Sequence, residues 1–155
     1  MRTMLFVLIS FAFTASAFGA DRIMEISLAE GIEYYQNSKY YSGGVDLYFG
    51  KQQAPSGGVM IETQDITLRS SRPPDRSVDD YAPLEEQYAK VCHYVFASVL
   101  QKMKAHAVSV GATAVVNISG FWKQQPYEIE SKYQCVRGSF HTAVSLRGSF
   151  SAPSC

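Results

Sequence analysis

The side chains with the most chemical scope in this chain are three cysteines, Cys92, Cys135 and Cys155, and three histidines, His93, His106 and His141. An odd cysteine count allows one intramolecular pair and leaves one thiol over. Cys92 and Cys135 make the better pair. Cys92 falls on the apolar stripe of a helical pattern and Cys135 lies in a strand-like run, whereas Cys155 is the last residue, after a Ser/Pro tail. Closing a loop of about 44 residues contributes roughly 4 kcal/mol in the chain-entropy model. Two separately buried thiols are the alternative at Cys92 and Cys135. Cys155 is expected to be a frayed free thiol, able to pair between molecules.

The histidines are weak metal candidates. His93 and His106 are thirteen residues apart, which at about 100° per residue sets them on different faces of one helix. No Cys-x-x-Cys or His-x-x-x-His spacing occurs. Metal binding would therefore need His93, His106 and His141 as surface imidazoles brought together in an oligomer. Gly44, Gly50 and Lys51 come near a phosphate-binding loop, but the glycine spacing is one residue too long. Gln52 also stands where a hydroxyl is needed, and the intervening Val45-Asp-Leu-Tyr-Phe49 reads as a strand. No G-x-S-x-G elbow is present, so a small hydrolase would need a dispersed site. Asn117-Ile-Ser119 matches a glycosylation pattern but lies inside a strand-like run. No catalytic residue, nucleotide or cofactor follows from these motifs.

The elements that must position these residues are clearest in the second half. From Pro83, apolar residues fall at Leu84, Tyr88, Val91, Cys92, Val95, Val99, Met103, Ala107 and Val110, stepping by three or four as an amphipathic helix requires. Asp79 and Asp80 can cap its start, Glu85 and Glu86 suit its first turn, and Lys102 and Lys104 suit its far end. Gly111 is the expected structural cap. Such a helix would be roughly 40 Å long. Thr113 to Trp122 reads as a strand, Gln124 to Tyr127 with Pro126 as a break, and Lys132 to Val136 and Ser139 to Phe150 as further strands.

In the first half, Ile23 to Leu28 and the segments 45–49 and 59–63 read as short strands, and Ala29 to Gln36 as a short helix. Ser70 to Ala82 reads as an exposed loop. Tyrosines 34, 35, 40, 41 and 48 form a cluster that sheet packing or an aromatic recognition surface would explain. The fold expected is α+β, one long helix packed on a small, mainly antiparallel sheet.

Residues 1–20 carry Arg2, the apolar run Met4-Leu-Phe-Val-Leu-Ile9 and small residues at Ala15-Ser-Ala17. That is the layout of a signal peptide, and the apolar run is too short to span a bilayer of roughly 30 Å. Segments 21–83 and 84–150 then form one domain, the latter its helix-strand-strand core, with 151–155 as a tail. The chain has 14 basic and 14 acidic side chains; losing Arg2 with the leader would leave 13 against 14. This balance points away from nucleic acid as a partner.

Val91-Cys92-His93, Gly111-Ala-Thr-Ala-Val-Val-Asn-Ile118, Tyr133-Gln-Cys135, Gly138 and Ala143-Val-Ser-Leu-Arg-Gly148 resemble a group of small exported bacterial proteins that often bear the label excinuclease ATPase subunit. The missing phosphate loop and the leader make that label an error. Lys102-Met-Lys-Ala-His-Ala-Val108 with the following Gly-Ala-Thr-Ala-Val-Val is more distantly similar to the YbjQ-type domain and the envelope-stress lipoprotein RcsF. The resemblance covers under half of the chain. It implies an α+β domain, disulfides in periplasmic members and ring-like homo-oligomers in cytoplasmic ones. This chain departs from RcsF in lacking a lipid-bearing cysteine and a second internal disulfide.

The expectation is a non-enzymatic, disulfide-stapled domain, periplasmic or secreted, that binds or senses an envelope protein or surface. A metal-binding oligomer and a dispersed-site hydrolase are the rival readings.

Overall fold

The computed structural model describes residues 21–54, 56–61, 66–72, 84–138 and 141–153. Residues 1–20, expected to be a leader, and Cys155 lie outside them. The elements run β1 (Arg22–Ser27), α1 (Leu28–Gln36), β2 (Asp46–Phe49), β3 (Gly58–Met60), β4 (Ile66–Arg72), α2 (Leu84–Ser109), β5 (Ala114–Trp122), β6 (Gln125–Tyr127), β7 (Lys132–Arg137) and β8 (Thr142–Pro153). The fold is mixed α and β. Beside the long helix it carries the short one expected at Ala29 to Gln36, and among the described residues the sheet has eight strands, larger than the small sheet expected.

Strand β8 organises the sheet. Along one edge it pairs with β7 at Ala143 and Thr142 and then with β5 from Leu146 to Ser151; β4 and then β3 pair with it along 142–153. Every pairing is antiparallel except that of β2 with β5. Two branches leave β8, one through β7 to β1 and the other through β5 to β2 and β6, and the sheet curls until they meet. Lys123 Nζ reaches Asp21 at 2.9 Å, and the Tyr127 hydroxyl donates to Glu25 at 3.0 Å across that closure. Curling explains why β8 is buried on both faces: Val144, Leu146 and Phe150 face the core, while Ala143, Ser145, Ser149 and Ser151 are also covered.

Three parts of the sheet depart from the sequence reading. Strand β8 runs on through Pro153, three residues into the expected tail. Strand β4 takes 70–72 from the expected loop, pairing through its backbone with β8; the rest of that loop, 73–83, lies outside the described residues. The expected break at 124–127 is a tight hairpin. Lys123 and Gln124 both take positive φ, 49° and 62°, as a two-residue turn requires. Pro126 is tolerated opposite Phe121 because β6 is an edge strand. In β5, Asn117 at φ 54° sits where the register with β8 shifts between Val116 and Ser119, a bulge suited to an asparagine.

Helix α2 follows its apolar pattern closely and lies on this sheet. Cys92, Val95, Phe96, Ala97, Val99, Leu100, Met103 and Ala107 are fully buried. It stops where expected, at Gly111 with φ 75°, and the Ala112 N–H returns to the Ala107 carbonyl at 2.8 Å. Helix α1 is capped by Ser27, whose hydroxyl accepts from the Glu30 N–H at 3.3 Å. It packs against α2 through Gly31. A Cβ there would lie 2.8 Å from Tyr133 Cε1 and 3.0 Å from Phe96 Cδ1, so only glycine permits this approach.

The disulfide joins Cys92 of α2 to Cys135 of β7, with a Cα–Cα distance of 5.9 Å and a sequence separation of 43. Both sulfurs belong to fully buried residues.

Candidate functional site

The tyrosine cluster and α2 together build a cleft. After α1 the chain turns back on itself. Ser38 donates from its N–H to the Tyr35 carbonyl at 3.1 Å and from its hydroxyl to the same oxygen at 2.8 Å, and Tyr41 N–H donates to the Ser38 carbonyl at 3.1 Å. This turn sets Tyr35, almost fully buried, edge-on to the exposed Tyr41 with ring centroids 5.6 Å apart. Tyr40 pairs instead with Tyr94 of α2, edge to face with ring centroids 5.4 Å apart, its hydroxyl donating to that of Tyr94.

Lys104 comes up between these rings. Its ammonium lies 5.4 Å from the Tyr35 centroid and 5.5 Å from that of Tyr41, and donates to the Ser42 carbonyl at 2.6 Å. The residue is only 7% exposed. The sequence places Lys104 toward the far end of the helix, as a complement to its dipole; the residue is in addition a buried cation held by aromatic faces. An ammonium has three N–H donors. Among the described residues one of the three is used, so two point at no protein acceptor.

The cleft beside it has a volume of about 750 Å³ and is bounded by α1, β2, Lys104 and the segment before β7. Leu28, Ile32, Val45, Leu47 and Phe49 supply apolar wall, and Glu33, Asp46 and Glu130 stand around it with exposed carboxylates. Gly50, at φ 55°, lets the chain pass the Ile129 carbonyl, to which a Cβ would come within van der Waals overlap. Gly44 and Gly50 thus flank strand β2, and Lys51 pairs with Glu128 at 3.1 Å on the surface.

A second constellation lies on the other side of α1. His93 is 8% exposed, so it is a core residue and not the surface imidazole expected. Its Nδ1 is 2.9 Å from the Tyr133 hydroxyl and its Nε2 is 3.7 Å from Glu30. The tautomer with Nε2–H toward Glu30 leaves Nδ1 to accept from Tyr133. Burial holds the His93 pKa below the usual imidazole value, with Glu30 opposing, and burial pushes the Tyr133 phenol above its usual range. Tyr133 and Cys135 alternate along β7 onto the same face, so the histidine pair and the disulfide bind the same two elements together. Cys92, adjacent to His93, is oxidised and offers no thiol for the imidazole to activate.

His106 is half-buried with its ring edge-on to Phe150 at 4.8 Å, and His141 is exposed. Along α2, His93 and His106 stand about 20 Å apart. Among the described residues no three His, Cys, Asp or Glu side chains gather as a metal site, and no helix is long and apolar enough to cross a membrane.

His93 and Lys104 both carried a signal. The series 93, 96, 100, 104 and 107 steps by three or four, so both polar residues sit on the stripe of Phe96 and Leu100, beside the stripe read from the sequence. No family model, curated protein or solved structure matches this chain.

Proposed function

We propose that this protein is a non-enzymatic, disulfide-stapled domain that works in the periplasm or outside the cell and binds an envelope component in the Lys104 cleft. One observation carries the reading: a cation buried among Tyr35, Tyr41 and Ser42, with donors left over, beside an apolar-walled cleft. Burying a charge is costly unless it is partnered, so a binding event that completes its shell is a reason to keep a lysine there. The leader-like residues 1–20 and the buried Cys92–Cys135 bond agree with an oxidising compartment. The resemblance to exported bacterial proteins and to RcsF fits the same compartment.

The test is capture from an envelope fraction with three baits, the wild type, Lys104→Gln and Tyr41→Ala. A component held by the wild type and lost from both variants supports the reading. Specific turnover of an envelope substrate, abolished by one side-chain change, would overturn it.

A further inference from the structure

Resting on that reading of the cleft, we infer that its ligand is a small zwitterion with an apolar body, a short apolar peptide with free ends. The carboxylate closes on Lys104 and the ammonium faces Glu33, Asp46 and Glu130. The charge layout selects this class by elimination. Lys104 is the only cation lining the cleft among the described residues, and the three carboxylates around it repel a polyanion. A simple cation is excluded at the base, because Lys104 already occupies the tyrosine faces that would cage it. A neutral apolar ligand would shut away from water two ammonium donors that have no hydrogen-bond acceptor among the described residues, which costs affinity.

A zwitterion meets both signs of charge at once, while Leu28, Ile32, Val45, Leu47 and Phe49 cover its side chains. The volume, about 750 Å³, falls inside the roughly 300–1,000 Å³ range of small-ligand sites. The buried lysine supplies the charge-assisted hydrogen bonds that orient the carboxylate.

Calorimetry with leucyl-leucine, N-acetyl-leucyl-leucine and leucyl-leucinamide on the purified protein tests this. Saturable heat is expected for the free dipeptide, weakened about tenfold or more for the amide, which loses the carboxylate, and weakened for the acetylated form, which loses the ammonium. Lys104→Met should abolish dipeptide binding. Asp46→Asn, at an exposed residue where folding is not at stake, should weaken the free dipeptide and leave the acetylated form unchanged. An amide bound as tightly as the acid overturns the assignment. If the cleft still captures its envelope component while no dipeptide gives heat, the ligand class falls and the binding role stands; loss of both overturns both.

Discussion

Gly31→Ala sets two known effects against each other at one atom. In a helix interior, replacing glycine by alanine ordinarily stabilises by about 0.8–1.0 kcal/mol. At position 31 the new Cβ would lie 2.8 Å from Tyr133 Cε1 and 3.0 and 3.2 Å from two carbons of the Phe96 ring. Neither ring can yield. Both are fully buried, they stack at a centroid distance of 4.0 Å, and the Tyr133 hydroxyl is held by His93. Helix α1 must therefore lift from α2, and overpacking of this kind costs about 1–3 kcal/mol. The cost exceeds the propensity gain, so the net effect is a destabilisation of about 1 kcal/mol, or about 2–5 °C in Tm. Guanidinium denaturation should show a lower midpoint with an unchanged slope. A Gly31→Ala variant that unfolds later than the wild type would refute the packing described between α1, Phe96 and Tyr133.

Gly111→Val should destabilise by more than about 1 kcal/mol, from backbone strain alone, since φ is 75° and a Cβ there meets no neighbour; Gly111→Asn should recover most of that, and equal melting of the glycine and valine forms would contradict the cap. Because burial lowers the His93 pKa in the fold, the unfolded chain takes up a proton first as pH falls through the ordinary value of about 6.5. Stability from this group is complete above that pH and is lost below it, by at most about 1.4 kcal/mol per pH unit. Denaturation midpoints between pH 7.5 and 5.5 should therefore fall more for the wild type than for His93→Gln; parallel curves would count against the buried imidazole. Cys92→Ala with Cys135→Ala should cost up to about 4 kcal/mol, the loop-closure contribution of a 43-residue separation, and a variant as stable as the oxidised wild type would contradict that contribution.

How far the sequence foretold this fold depended on how each segment is held. Helix α2 shows its period because one face is buried against a continuous core, and strand β5 shows as a dense run of Val, Ile and aromatic residues because its first three residues are buried on both faces. The Cys92–Cys135 pairing was legible because Cys92 sat on the apolar stripe of the helix and Cys135 inside a strand-like run, away from the tail that carries Cys155. Strand β4, with the sequence Ile-Thr-Leu-Arg-Ser-Ser-Arg, alternates only over Ile66 and Leu68 and ends in polar residues, too short a pattern to mark a strand; it is joined to β8 by ladder hydrogen bonds that any residue can make. The β5–β6 hairpin was hidden because Lys123 and Gln124 take the positive φ usually signalled by Asn-Gly.

The site was harder to read than the fold. His93 and Lys104 are polar residues placed on an apolar stripe, and a pattern read from hydrophobic residues passes over them. What makes Lys104 distinctive is its approach to Tyr35, Tyr41 and Ser42, more than sixty residues earlier in the chain. No local spacing encodes that meeting; the α1–α2 packing through Gly31 creates it.

Differential alkylation measures the covalent tie between α2 and β7 and, with it, the oxidising compartment proposed for this protein. Protein taken from its native location is alkylated before and after reduction, digested and examined by mass spectrometry. Cys92 and Cys135 should stay unlabelled before reductant, appear as one linked peptide pair and label fully after it. Labelling of both sulfurs without reductant would contradict the account.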